Sequence, residues 1–123
     1  MKWMLWIMLL ASTASAHEMT PAYPKLNPSF VDGVKHTQVL LFNKREDVQY
    51  YEIGVFDSEW RPVTFATGYK VVRLSYLSKL YIDVYMADSD AKRATYVCSI
   101  SKLRGEPKKG TLVSSRICSK IKR

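Results

Sequence analysis

The stretch DSDAKRATYVCSISK, from Asp88 to Lys102, decides the fold because it joins a polar turn to a strand that carries one of two cysteines. The other cysteine, Cys118, lies in a similar strand-like run beyond the turn segment RGEPKKG at residues 104–110. A hairpin centred on Lys108 places Cys98 directly opposite Cys118, at a Cα separation of about 4.5–5.5 Å that suits a disulfide. We therefore predict a Cys98–Cys118 disulfide, which joins the two strands of the last hairpin and stabilises the fold by roughly 3 kcal/mol.

Period-2 alternation recurs along the rest of the chain, and no segment shows a sustained helical period of 3.6 residues. The alternating runs, rich in β-branched and aromatic residues, are KHTQVLLFNK, VQYYEIGVFD, YKVVRLSYL, KLYIDVYM, TYVCSISKL and TLVSSRICSKIK. Short polar turns separate them about every ten residues, which favours an antiparallel sandwich. The segment MTPAYPKLNPSF, residues 19–30, contains three prolines and is expected to be an extended edge segment. The sequence thus predicts one all-β domain of about seven antiparallel strands over residues 17–123.

The N-terminal stretch, residues 1–16, has the organisation of a cleaved signal peptide. Met1-Lys2 is a basic start, residues 3–10 (WMLWIMLL) are apolar, and Ala14-Ser15-Ala16 is a small-residue cleavage site. We expect cleavage after Ala16, which leaves a mature chain of residues 17–123 in the periplasm or outside the cell. The apolar run is too short to span a bilayer, so we expect no transmembrane segment in the mature chain. Export into an oxidising compartment agrees with the predicted disulfide.

The excess of basic residues is concentrated at the C-terminal end of a chain whose formal net charge is +8. Residues 102–123 contain eight basic residues against Glu106 alone, whereas residues 17–101 contain ten basic and ten acidic residues. A basic edge of this kind binds carboxylates, anionic lipid or nucleic acid, or is simply a solvated face. Because export removes the usual nucleic acid targets, we expect no nucleic acid partner.

Much of the chain resembles the N-terminal, immunoglobulin-like domain of periplasmic pilus-assembly chaperones. The likeness lies in VDGVKHTQVLLFNKRED (31–47), YYEIGVFDSEW (50–60), FATGYKVVRLSYLSK (65–79), DAKRATYVCSI (90–100) and SKIKR (119–123). As in that family, Asn43 ends a strand before a turn, and five residues separate Asp90 from Tyr96. The resemblance implies a single immunoglobulin-like β-sandwich that binds protein partners.

In that family the domain binds its client by strand addition, in which its last strand pairs with an incomplete client sandwich. The resemblance implies that the last strand here is an open sheet edge for an exposed partner strand. The predicted partner-binding residues on it are Arg116, Ile117, Lys120, Ile121 and Lys122. Ile117 and Ile121 are expected to enter pockets of the partner, and Lys122 to meet a carboxylate, as the lysine of that family does. The family's arginine on the first strand has no counterpart, since Pro28 or a neighbour falls there.

The alternative interpretation is a periplasmic copper carrier. Cleavage after Ala16 makes His17 the N-terminal residue, which chelates copper through its amine and one ring nitrogen. His36 is available as a second ligand, and imidazole and amine ligands suit Cu(II) better than zinc. The preferred interpretation is a binding module, for which we expect no cofactor and no enzymatic activity. His17 and His36 are the only histidines, no G-x-S-x-G motif is present, and both cysteines are used in the disulfide.

Overall fold

The computed structural model describes residues 17–102 and 115–123. These residues form two facing antiparallel sheets and one short helix, which confirms the predicted all-β sandwich. In chain order the elements are β1 (His17–Thr20), β2 (Asn27–Pro28), β3 (Val34–Asn43), β4 (Tyr50–Phe56), β5 (Val71–Arg73), β6 (Lys79–Ala87), α1 (Asp88–Arg93), β7 (Tyr96–Lys102) and β8 (Arg116–Lys120). None of the helical structure in these ranges is long and apolar enough to cross a membrane.

The strands divide between the sheets as in an immunoglobulin-like sandwich. In the first sheet β3 lies at the centre, with β6 on one side and both β1 and β2 on the other. The second sheet has the order β5-β4-β7-β8, so the short β5 pairs with β4 and not with β6. With β1 and β2 counted as one interrupted edge strand, the described residues contain the predicted number of strands, seven.

Alternate side chains of the strands form the core between the two sheets. Val39 and Leu41 of β3 are 0% exposed, and Val55 of β4 and Val97 of β7 lie against them from the second sheet with 1% and 0% exposed. Burying an aliphatic side chain fully contributes about 1.5–3 kcal/mol relative to leaving it in water. The buried positions are two residues apart, as the sequence alternation predicted, because successive side chains of a strand point to opposite faces.

The last hairpin has the register that the cysteine spacing predicted. Tyr96 lies opposite Lys120, Val97 opposite Ser119, and Cys98 opposite Cys118. The two cysteines are joined by a disulfide, with a Cα separation of 4.0 Å, which confirms the predicted pairing. The turn centred on Lys108 lies outside the described residues. A disulfide is compatible with a periplasmic or extracellular location.

The proline-rich N-terminal segment passes from the first sheet to the edge of the second. After β1 and the cis Thr20–Pro21 bond, residues 22–25 run alongside the end of β8. Lys120 N–H donates to the Ala22 carbonyl at 2.9 Å, and Lys122 N–H donates to the Pro24 carbonyl at 2.8 Å. The segment was predicted to be an edge, which is confirmed, but the prediction that β8 is an open edge along its whole length is wrong. Residues 22–24 cover its C-terminal end because the interrupted strand changes sheets there.

The short helix α1 occupies the position where the sequence predicted only a turn. Its first turn carries Asp88 and Asp90 and its last turn carries basic residues, which complements the helix dipole. Ala91 is 6% exposed and attaches the helix to the core. The guanidinium of Arg123 donates to the carbonyls of Ala91 and Ala94. This contact satisfies carbonyls that the end of a helix leaves unpaired, so it fixes the end of the chain against α1.

Candidate functional site

The side chains of β8 alternate between the core and the outer surface. Ile117 is partly buried against the core, and Ile121, just beyond the strand, is 4% exposed within it. Ile121 was predicted to enter a pocket of the partner, and its burial contradicts that role, because inserting it elsewhere would open the core. Arg116, Lys120 and Lys122 are exposed. The part of β8 that a partner reaches in this conformation is therefore polar and basic, not apolar.

Arg116 is held in an aromatic cluster on the outer face of the second sheet. Its guanidinium carbon lies 4.6 Å from the ring centroid of Trp60 and 5.8 Å from that of Phe56. Trp60 stacks on Tyr96 with centroids 4.2 Å apart and planes within 3°. Such cation–π contacts are worth about 0.5–1 kcal/mol at exposed sites. A partner that binds Arg116 therefore meets a guanidinium already packed on Trp60. No sequence pattern indicates this contact.

The loop that carries Trp60 is fixed by a buried carboxylate. Asp57 is 5% exposed, and its Oδ1 accepts the backbone N–H groups of Glu59 and Arg61, both at 2.9 Å. The hydrogen bond from the Arg61 N–H, more than any other contact, lowers the pKa of Asp57 below its ordinary value. Trp60 has a φ of 64°, a left-handed conformation that is uncommon for a bulky residue. The loop therefore holds an indole that is 43% exposed in a fixed position over the sheet.

A cavity of about 510 Å³ lies where the proline-rich segment, the start of β3, α1 and the end of the chain meet. We call it the basic cavity; its lining is Lys25, Leu26, Lys35, Asp88, Ala91, Lys92, Ile121, Lys122 and Arg123. Lys25 and Lys122 lie side by side because their backbones form a parallel bridge. The cavity therefore combines cationic side chains with an apolar surface contributed by Leu26, Ala91 and Ile121.

Of these cavity residues only Lys122 and Ile121 had predicted roles. The resemblance gave the first strand no cation, since Pro28 or a neighbour falls at that position, and the structure brings Lys25 beside Lys122. Lys35 and Lys92 come from β3 and α1, far from Lys122 in the sequence. A lysine inside a proline-rich edge segment was the available signal for Lys25, but nothing local in the sequence indicates that the four lysines surround one cavity.

The two histidines of the copper alternative lie at opposite ends of β3. His17 is paired with Asn43, the last residue of β3, whereas His36 lies near its start. The seven intervening steps of about 3.3 Å put the two histidines roughly 23 Å apart, and they point to opposite faces of the first sheet. No group of three or more potential metal-ligating side chains occurs within residues 17–102 and 115–123. The prediction that His17 and His36 bind one copper ion is therefore wrong.

His17 belongs instead to a buried polar cluster at the end of the sandwich. It is 3% exposed, its Nε2 lies 2.8 Å from Ser99 Oγ, and its ring packs on Tyr51 at 4.7 Å. Burial lowers the pKa of His17, with a smaller contribution in the same direction from the charge of Arg45. Burial also raises the pKa of Tyr51 to about 12. The cluster keeps these groups uncharged at neutral pH, as a structural connection between β1 and the second sheet requires.

Comparisons with known proteins add little to this geometry. No protein-family model matches the sequence, and no curated protein matches it. A solved structure, a FixG-related protein from Vibrio parahaemolyticus, is similar over 86% of this chain and 94% of its own, with 15% sequence identity and a TM-score of 0.49. That likeness carries no argument about function. The resemblance to pilus-assembly chaperones stays a prediction from the sequence.

Proposed function

We propose that this chain is an exported, chaperone-like binding module that captures a protein partner by strand addition at its basic C-terminal edge. The observation that supports this proposal is the state of the outer edge of β8 over Arg116–Cys118, the part of the strand that precedes Lys120. In antiparallel strands the outward-pointing N–H groups belong to alternate residues. Since Lys120 N–H points outward to Ala22, the backbone groups of Cys118 and Arg116 point to the same side. Among the described residues no strand pairs with them there.

An extended partner segment along Arg116–Cys118 would run toward the place where residues 22–24 begin to cover β8. Lys120 and Lys122 follow on the outer surface, and no carboxylate within residues 17–102 or 115–123 forms an ion pair with either of them. An acidic group at the end of the partner segment would find two ammonium groups there. Main-chain hydrogen bonds then supply affinity, and the charges supply direction and a faster encounter.

The test is photo-crosslinking of the exported protein in an envelope extract. A photoreactive phenylalanine analogue replaces Arg116 in one variant and the exposed Tyr69, away from β8, in the control variant. We expect a discrete protein adduct at position 116 that is absent at position 69. Lys122→Glu should reduce the adduct at least tenfold, because an attractive contact becomes repulsive.

Arg73→Glu is the matched charge reversal, since Arg73 is an exposed residue of β5, at the opposite edge of the same sheet. It should leave the adduct at position 116 unchanged. Equal adducts at positions 116 and 69, or equal losses with Lys122→Glu and Arg73→Glu, would contradict capture at the β8 edge.

A further inference from the structure

The basic cavity has an uncompensated positive charge. It is lined by Lys25, Lys35, Lys92, Lys122 and Arg123, and Asp88 is the only acidic residue among its lining residues. Five cationic side chains against one carboxylate side chain leave a net side-chain charge of +4. A concave surface of one sign concentrates counter-ions more strongly than a flat one. The cavity is therefore a site where an anion would be attracted from solution.

Two of the five cations already have partners, and three do not. Lys35 Nζ lies 3.8 Å from Asp88 Oδ1, and the Arg123 guanidinium donates to helix carbonyls. Lys25, Lys92 and Lys122 form no ion pair and no aromatic contact within the described ranges. Elsewhere in the described residues Lys44 pairs with Glu18, Arg45 with Asp47, Arg61 with Asp57 and Glu59, and Lys102 with Glu52. Of the described lysines with neither an ion pair nor an aromatic contact, only Lys120 lies outside the lining of the cavity.

Backbone pairing places two of these lysines side by side. The parallel bridge fixes Lys25 next to Lys122, and like charges on directly neighbouring strands are destabilising. No carboxylate in the lining offsets this repulsion, since Asp88 is engaged by Lys35. A bound anion would remove the repulsion and gain attraction from Lys92 on α1 as well.

We propose that the basic cavity binds a phosphate monoester attached to an apolar group. A phosphate monoester carries about −1.5 to −2 charges and three strong acceptor oxygens, which matches three unpaired ammonium groups better than the single charge of a carboxylate. The apolar part of the ligand would lie on Leu26, Ala91 and Ile121, which contribute the uncharged lining. A volume of about 510 Å³ accommodates such a head group and several carbons.

This inference does not depend on strand addition, although Lys122 takes part in both proposals. Lys25 and Lys92 line the cavity but lie outside β8. Substituting them therefore tests phosphate binding without changing the strand that strand addition uses. Loss of phosphate binding with intact partner capture would assign the cavity a role of its own. Loss of partner capture alone would leave the phosphate site standing.

The test is calorimetric titration of the exported protein with hexyl phosphate. We expect saturable binding, weakened about tenfold by Lys25→Ala and by Lys92→Ala, since each removes one charge-assisted contact. Lys120→Ala is the matched control, because Lys120 is exposed on the same edge but does not line the cavity; it should change the Kd less than twofold. Lys25→Glu should abolish binding while raising the stability of the free protein, because it replaces a like-charge pair with an ion pair.

Four further probes distinguish the outcomes. Inorganic phosphate should bind more weakly than hexyl phosphate if the apolar surface takes part, and hexanoate should bind at least tenfold more weakly if the second charge matters. Co-sedimentation with phosphatidylcholine vesicles containing phosphatidic acid would identify a lipid head group as the source, and its absence would identify a soluble ester. Hexanoate or hexaglutamate binding as tightly as hexyl phosphate would overturn the proposal in favour of a carboxylate or acidic peptide site. Equal effects of Lys92→Ala and Lys120→Ala would overturn it too.

Discussion

Replacing Asn43 with alanine should be among the most destabilising substitutions in this domain. Asn43 is 0% exposed at the end of β3. Its Nδ2 donates to the carbonyls of Val48 and Leu74, both at 2.8 Å, and its Oδ1 accepts the backbone N–H of Arg45 and the hydroxyl of Tyr51. One side chain thus connects three separate segments of the chain.

The size of the effect follows from the groups that lose their partner. A net hydrogen bond is worth about 1 kcal/mol, and a buried polar group left without a partner costs about 1–3 kcal/mol. Asn43→Ala leaves two buried carbonyls and the Tyr51 hydroxyl unsatisfied, so we expect a loss of about 3–5 kcal/mol in the free energy of unfolding. Urea denaturation followed by circular dichroism measures this loss. The midpoint should fall by more than about 1 M, since the slope for a small domain is about 1–3 kcal/mol/M.

Two matched variants make the experiment specific. Asn27→Ala makes the same chemical change at an exposed asparagine and should cost less than about 0.5 kcal/mol. Tyr51→Phe removes one of the four contacts and should cost about 1 kcal/mol. An Asn43→Ala loss no larger than that of Asn27→Ala would refute the reasoning, because it would mean that the four hydrogen bonds do not hold the loops together.

Three other predictions concern the disulfide, the buried histidine and the aromatic cluster. Reducing the Cys98–Cys118 bond, which closes a loop between residues 20 apart, should lower the free energy of unfolding by roughly 3 kcal/mol, and mass spectrometry of non-reduced peptides should recover the two cysteines in one linked species. Burial lowers the pKa of His17 below its ordinary value of 6.5. As the pH falls, the imidazole is therefore protonated at a higher pH in the unfolded chain than in the folded one. Stability is then fully present above pH 6.5 and falls as the pH drops, by at most about 1.4 kcal/mol per pH unit; His17→Gln should flatten this dependence in denaturation curves recorded between pH 7.5 and 5. Removing the guanidinium from Trp60 by Arg116→Ala should shift the fluorescence emission of that tryptophan to longer wavelength, whereas Arg73→Ala should not.

The sequence predicted those parts of the fold that depend on local periodicity. Alternation alone puts Val39 and Leu41 on one face of their run, and Ile53 and Val55 on one face of theirs; the structure buries all four. The Cys98–Cys118 pairing was also predictable, because the register of a hairpin follows from its centre of symmetry and the register fixes every facing pair. In both cases the information lies within about twenty residues of sequence.

The parts that the sequence did not predict depend on contacts between distant segments. The parallel bridge between Lys25 and Lys122 requires the interrupted first strand to change sheets after Pro21. No periodicity indicates such a change, because a proline-rich segment is compatible with either sheet edge. The four lysines of the basic cavity come from four segments for the same reason. Trp60 was similarly unpredicted as the platform for Arg116, since its turn gives no sign of which strand it covers.

Two explanations of the cations at this end of the sandwich, protection of the sheet edge and binding of an anion, require different arrangements of those cations. A protected sheet edge needs cations only along β8 itself, where they discourage aggregation, and Lys120 alone would serve that purpose. Protection of the edge gives no reason for Lys92 on α1 or Lys25 on the first strand to face Lys122 across a shared cavity. Their repulsion costs stability in the free protein, while the two carboxylates of the same helix, Asp88 and Asp90, pair with Lys35 and Arg93 instead. Arrangements of charge that lower the stability of the free protein and are stabilised by a ligand are typical of binding surfaces. Anion binding is thus inferred from the arrangement of the cations, not from their number.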